Sequence, residues 1–216
     1  MKKICLSILL FFSPLFAENL SKTMLFNGSN LEHWRTYQCE CITDGWQIVD
    51  KILVRAGPAR DLITKEKFKN FILELEWKIS KGGNSGIIIR ASEDLQYSFM
   101  SGIEMQILDD MNHPDGQNPF TSSGAVYDLY PNQLDITNSF NEWNKVRIIA
   151  INASVKFFLN EVLVNNVVIS SDAWRTAIGN SKFSEYKNFG LLEEGHIALQ
   201  DHGNEVAFKN ITITRL

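Results

Sequence analysis

In Phe71-Ile72-Leu73-Glu74-Leu75-Glu76-Trp77-Lys78-Ile79, the apolar Phe71, Leu73, Leu75, Trp77 and Ile79 alternate with Glu74, Glu76 and Lys78. A period of two puts one row of side chains in a core and the other in water, so this stretch reads as a half-buried β-strand. The same pattern recurs on both sides. Ile103, Met105 and Ile107 alternate with Glu104 and Gln106, and Ile197 and Leu199 alternate with His196, Ala198 and Gln200. Gly86–Ala91 is a short apolar run that reads as a strand buried on both faces. Val146–Ile151 and Val155–Leu159 are β-branched or aromatic-rich, with Asn152-Ala153-Ser154 as the turn between them. Asn160-Glu161 reads as a hairpin turn into Val162–Ile169. The last strand, Val206–Ile213, slips phase at Lys209-Asn210, which predicts a bulge. Helical periodicity is weak, and one short helix is expected at Asp172–Ile178 with Asp172 as its N-cap. Many short strands joined by loops rich in Gly, Asn and Ser predict an all-β fold, a single-domain β-sandwich. The two longest polar stretches, Asp109–Ser123 and Pro131–Asn144, are long enough to expect function of them.

Composition agrees. The 216 residues are 44% hydrophobic, 21% charged and 11% aromatic, which excludes a disordered chain and a membrane-embedded one. A net charge of −4 argues against a nucleic-acid partner, which would call for a basic face. Lys2 and Lys3, an apolar run from Ile4 to Phe12 and the small Ala17 follow the order of a secretory signal peptide over residues 1–17. That run is too short to be a permanent anchor, so no membrane insertion is expected after cleavage. The mature chain is expected to be secreted or periplasmic, with a flexible segment at 18–23 and the sandwich over 24–216. Cys5 leaves with the leader. Cys39 and Cys41 remain, and their spacing allows either a local bridge or two free thiols.

Strand geometry then narrows the chemistry. Glu104 and Gln106 share one face, and His196, Ala198, Gln200 and His202 share another. Ala198 is small and would leave room between larger polar groups. Two such rows side by side would form a hydrophilic groove suited to a hydroxyl-rich ligand, since Glu, Gln and His supply donors and acceptors. The same rows also describe an ordinary solvated sheet face. Tyr97, Tyr127, Tyr130, Trp143 and Trp174 lie in or beside loops, where rings either stack on sugars or pack in the core. The loop Asp109–Gly116 has the acidity of a calcium loop but not the EF-hand order. Glu104, Asp109, His113 and His202 have no diagnostic metal spacing, so a divalent cation stays open as cofactor and its ligands are undetermined. No nucleophile elbow, dinucleotide fingerprint or Walker loop is present, and Ser85, in an apparent turn, carries no mark of a nucleophile.

Taken in order, several motifs carry a resemblance. They are Leu25-Phe26-Asn27-Gly28 with Leu31 and Trp34, Gly82-Gly83-Asn84-Ser85-Gly86-Ile87 with Arg90, Glu104-Met105-Gln106-Ile107-Leu108-Asp109 followed by His113, Gly124-Ala125-Val126-Tyr127, Glu142-Trp143-Asn144, and Gly195–Gly203. Together they resemble the 3-keto-disaccharide hydrolase domain family, formerly a domain of unknown function, from about Met24 to Leu216. Ser122-Ser123 before the Gly124–Tyr127 turn, Asp128 after its tyrosine and the Cys39-Glu40-Cys41 insert depart from the pattern. The resemblance implies a concanavalin A-like jelly-roll sandwich of the lectin and glucanase kind. It also implies a saccharide partner and, for some members, hydrolysis of glycosides oxidised at the third carbon.

A ketone at C3 acidifies the proton on C2, so a base, an acid and donors aimed at the ketone oxygen suffice for elimination of the C1 substituent and rehydration. On this scheme Glu104 and His202 are the acid/base pair, in either assignment. Arg90 and Gln106 would hold the ketone or hydroxyls, Gln200 would orient the sugar, and Asp109 would position His202 or a cation. His113 and Tyr127 complete the expected substrate contacts. Arg90 is equally well placed, on paper, for a buried ion pair with Glu104. A non-catalytic, lectin-like carbohydrate-binding module is the alternative, and a structural envelope protein a third option.

Overall fold

A computed structural model describes residues 21–216. The leader at 1–17 lies outside the described residues. Thirteen strands are present: β1 (Lys22–Phe26), β2 (Trp34–Thr36), β3 (Trp46–Val49), β4 (Ile52–Arg55), β5 (Leu62–Thr64), β6 (Phe71–Ile79), β7 (Asn84–Ala91), β8 (Ile103–Leu108), β9 (Asn144–Ile151), β10 (Ser154–Leu159), β11 (Val162–Val168), β12 (His196–Leu199) and β13 (Val206–Arg215). One helix, α1 (Asp172–Gly179), lies between β11 and β12.

The strands form two antiparallel sheets. The larger runs β11-β10-β9-β6-β13-β4-β3, with β1 also on β13, and the smaller runs β2-β5-β12-β7-β8. Strand β6 alternates buried and half-buried over its whole length, as its sequence requires. One apolar core fills the space between the sheets. Trp77, Phe71, Phe157, Phe208 and Leu53 enter it from the larger sheet and Ile87, Ile89, Ile103, Met105 and Leu199 from the smaller. Each such side chain, fully buried, contributes ~1.5–3 kcal/mol.

Local chemistry sets the connections. Asn160 and Glu161 both have positive φ, the condition for a tight turn whose twist matches its flanking strands. The register of β13 on β6 shifts between Lys209 and Thr212, so the expected bulge is present. It marks where β13 exchanges β4 for β1 as its other neighbour.

Four expectations need correction. Ser171, not Asp172, caps α1: its hydroxyl accepts from the Trp174 N–H at 3.1 Å, and Asp172 is the first helical residue, paired with Arg175. Lys22 and Thr23, expected in a flexible lead-in, pair with Thr214 and Ile213 as the start of β1. Ser85 lies inside β7 rather than in a turn, and its hydroxyl donates to Gln200 O at 2.9 Å. Finally, β8 is buried on both faces, because loops cover the outer face of the smaller sheet.

Candidate active site

The covered outer face of the smaller sheet has two parts. Ile63, Ile88, Ala91 and Ala198 form a small apolar patch beneath Tyr37 and Phe99. Ala198 therefore makes room for rings rather than for a ligand. Beside this patch lies a polar cavity of about 120 Å³, lined by Asn84, Phe99, Glu104, Gln106, Tyr127, Lys182, Gln200 and His202. At ~30 Å³ per water, that is space for roughly four waters, or the reacting edge of one sugar ring.

A missing side chain makes this space. Gly86 on β7 pairs with Gln106 on β8, and its carbonyl accepts from Gln200 N at 2.9 Å. A Cβ at Gly86 would lie 2.3 Å from Glu104 Oε1. The Glu104 carboxyl thus leans over the glycine, between the two glutamines. Neither polar atom of the Gln106 amide, nor Gln200 Oε1, has a hydrogen-bond partner within the described protein, and all three are buried. Buried amides of this kind are normally satisfied, so unpartnered ones beside a cavity mark positions for a polar ligand.

Loops supply the other walls. Tyr127 follows a bridge between Met105 and Val126, and its N–H donates to Glu104 O at 3.1 Å. Lys182 is held by its own N–H, which donates to Asp128 Oδ2 at 2.8 Å. Its ammonium lies 4.2 Å from the centre of the Tyr127 ring and 5.6 Å from that of Phe99. Ammonium over ring faces is a favourable arrangement, and it leaves the charge at the cavity.

Electrostatics separate the titratable groups. Burial pushes the Glu104 carboxyl up to about 8, against the Lys182 charge that favours ionisation, and Asp61 adds to the rise. Burial lowers His202, and His113 and Lys182 lower it further. Burial also raises the Tyr127 phenol to about 12. At neutral pH the site therefore holds a protonated carboxyl and a neutral imidazole.

Of the residues singled out in the sequence, Glu104, Gln106, Tyr127, Gln200 and His202 come together here. His113 lies beside His202 without lining the cavity, and its Nδ1 accepts from Asp115 N at 3.1 Å. Asp109 does not reach the site. Its carboxylate accepts from Gly82 N at 2.7 Å and from the Asn112 amide at 2.8 Å, which fixes a loop. Arg90 is also absent, and it makes no ion pair with Glu104. It sits at positive φ where the β7–β12 register shifts, so its side chain turns away and donates to Lys69 O and Asn152 O. Trp174 is wholly buried and Tyr130 stacks on it, while Trp143 lies under Lys78 and Lys209. Tyr97 stacks on Phe99 outside the lining. Among the described residues no three His, Cys, Asp or Glu side chains are placed to hold a metal ion, so Glu104, Asp109, His113 and His202 do not form a ligand set. Phe99, Asn84 and Lys182 escaped sequence reasoning. Lys182 lies in a short 3-10 turn at Lys182–Glu185, where no periodicity assigns a direction to a side chain.

A larger concavity of about 580 Å³ lies on the outer face of the larger sheet. Most of its charges are paired: Lys22 with Glu74 at 2.7 Å, Lys145 with Glu161 at 3.6 Å, and Glu76 with the neighbouring Lys209 at 3.2 Å, while Arg147 lies over the Phe158 ring. The unpartnered buried amides lie in the smaller cavity, which is therefore the candidate active site.

The model of the 3-keto-alpha-glucoside-1,2-lyase-like domain matches residues 21–214. The chain belongs to this family. A 3-keto-disaccharide hydrolase from Bacteroides thetaiotaomicron is 34% identical over 221 aligned residues, covering 88% of this chain and 76% of the relative. The crystal structure of a candidate glycosyl hydrolase from Parabacteroides distasonis superposes with a TM-score of 0.85 at 29% identity, covering 90% of this chain and 94% of that one. A family-66 carbohydrate-binding module from Bacillus subtilis shares the fold alone, at a TM-score of 0.52 and 14% identity over 84% of this chain and 95% of that one. In this lyase-like family member, then, the sandwich expected from the strands and the family expected from the motifs are both found.

Proposed function

We propose that the protein cleaves 3-keto-glycosides by elimination across C1 and C2 followed by hydration. The observation that carries this reading is the cavity itself, where one neutral imidazole and one protonated carboxyl face the same small space. Environments that drive two titratable groups apart assign their roles. His202 takes the C2 proton. The electron pair moves into the C2–C3 bond and the charge onto the ketone oxygen, where the Lys182 ammonium and the unpartnered Gln106 amide stabilise it. Collapse of this enolate expels the C1 oxygen, which leaves as an alcohol with the Glu104 proton. In the second half, the Glu104 carboxylate takes a proton from water as its oxygen adds to C1. The His202 imidazolium, exposed to solvent, exchanges its proton and then protonates C2. The balance is one glycosidic bond broken, one water consumed, and both side chains restored.

An ordinary two-carboxylate glycosidase needs a second Asp or Glu across the scissile bond. Glu104 is the one carboxylate among the described residues that line this cavity. The curated relative from Bacteroides, a 3-keto-disaccharide hydrolase, supports the same substrate class.

Turnover of a 3-keto-disaccharide and of its unoxidised parent, by wild type, E104Q and H202A, tests the proposal. Wild type should cleave only the ketone. Each variant should lose roughly 10²–10⁴-fold in kcat while still binding. Binding without cleavage by wild type would make the protein a sugar-binding module instead.

The site of action we propose is outside the cytoplasm. The basic-apolar-small order of residues 1–17 supports it, as does a bridge between Cys39 and Cys41, since such bonds persist in oxidising compartments. N-terminal sequencing of exported protein should begin at Glu18. A retained, uncleaved leader would refute the assignment.

A further inference from the structure

Behind the cavity wall lies a carboxylate that the mechanism above does not use. Asp61 precedes β5 and does not line the cavity. Its Oδ1 accepts from Asp201 N at 2.9 Å, and its Oδ2 accepts from the Ser98 hydroxyl. Each partner adjoins a lining residue. Asp201 stands between Gln200 and His202, and Ser98 precedes Phe99. One carboxylate thus ties the strand exit that bears the imidazole to the ring that closes the opposite side. Asp201 is itself anchored across the sandwich, through Arg55 at 2.7 Å and the Ala59 N–H at 3.0 Å. The Asp201 end of this chain of contacts is therefore anchored, and Asp61 links it to Ser98.

We propose that Asp61 is a positioning residue of the site, which couples the Phe99 wall to the Gln200–His202 strand exit and places a second carboxylate behind Glu104. The inference rests on the elimination reading for its activity arm alone. The charged groups around it are few. Glu104 faces Lys182 and Asp61, with the Gln200 amide beside it. Asp61 faces Asp201 and Arg60, and burial raises its own carboxyl. His202 faces His113, Lys182 and Asp115. Removing the Asp61 charge makes ionisation of Glu104 easier, so its titration must move to lower pH.

Two variants separate charge from scaffolding. D61N keeps the shape and an acceptor for Asp201 N, and D61A removes both contacts. Glu104 is followed by carbon-13 NMR titration of the intact protein, assigned with E104Q, and the pH dependence of kcat/KM is measured on a 3-keto-disaccharide. In D61N the Glu104 titration and the alkaline limb should fall together by roughly half a unit to one unit. In D61A, kcat should drop by roughly tenfold to a hundredfold as well, the usual cost of displaced catalytic groups. A Glu104 titration unmoved by D61N would overturn the inference, as would a D61A protein that loses thermal stability but keeps kcat. If wild type does not turn over the ketone, the reaction proposed above fails, and the NMR titration still decides the role of Asp61.

Discussion

Glu104 is the residue on which most of the proposed chemistry turns, and its environment has a measurable side effect. Its carboxyl titrates near 8 in the fold because of burial, against an ordinary value of 4.5. A carboxyl raised on folding contributes its full stability below the unfolded value, and that contribution is lost as pH rises through the folded one. The E104Q protein should therefore be more thermostable than wild type above about pH 5. The gap should widen up to pH 8 and then level, which thermal melts across that range will show. A catalytic group that destabilises its own fold is a familiar exchange of stability for activity. Gly86 makes the complementary case. An added Cβ meets Glu104 Oε1 at 2.3 Å and Cδ at 2.9 Å, the mobile end of a side chain rather than backbone. G86A should therefore fold, displace the carboxyl and lower kcat by roughly a hundredfold, with a crystal structure showing the moved side chain. At this scale the sequence was readable where period two applied. Glu104 and Gln106 follow from counting along β8, and the same count reached Gln200 and His202, although they lie beyond the end of β12 at Leu199. Arg90 misled because its bulge rotates the side chain away, and a bulge leaves no mark in the run Gly86–Ala91.

The elements show why a sheet face became a walled cavity open to solvent at Lys182 and His202. Strand order puts β7 between β12 and β8, so the two polar rows, expected side by side, instead face each other across β7, where Gly86 leaves the gap. Alternation along each strand was sufficient to expect a groove. It was not sufficient to expect a cover, because Phe99, Tyr127 and Lys182 come from three connections whose paths depend on tertiary contacts. The contact from Lys182 N to Asp128 Oδ2 joins two of them. D128A should loosen the lysine and raise KM several-fold with little change in thermal stability, whereas K182M should lower kcat by removing the charge from the enolate, on the order of 10²-fold. Steady-state kinetics separate the two effects. The Cys39–Cys41 bridge closes a loop too short to constrain the unfolded chain much. Its reduction should cost no more than about 2 kcal/mol and leave kcat unchanged, measured by urea unfolding and turnover with and without reductant.

Across the whole molecule, the sandwich keeps two unlike faces on opposite sides of one core. The larger sheet turns a solvated, charge-paired face outward. The smaller sheet, buried on both sides, carries the cavity. The architecture was legible because β6, β8 and β12 show alternation and β9 to β11 and β13 are rich in β-branched residues. By contrast β1 to β5, three to five residues each, are too short to show a period. The cover was not, since it is made by Phe99, Tyr127 and Lys182, and neither of the two long polar stretches, 109–123 and 131–144, supplies a lining residue. The pH dependence belongs to this scale too. A base that must be neutral and an acid that must be protonated give a bell-shaped kcat/KM. Its acid limb should lie below the ordinary histidine range, since burial lowers His202, and its alkaline limb near 8, where Glu104 ionises. The most direct measurement of the central claim is turnover of a 3-keto-disaccharide in deuterium oxide, with the product read by proton NMR. Elimination and hydration predict one deuterium at C2 of every released 3-keto sugar. Cleavage that leaves the C2 proton in place would contradict the account, whatever the fate of the glycosidic oxygen.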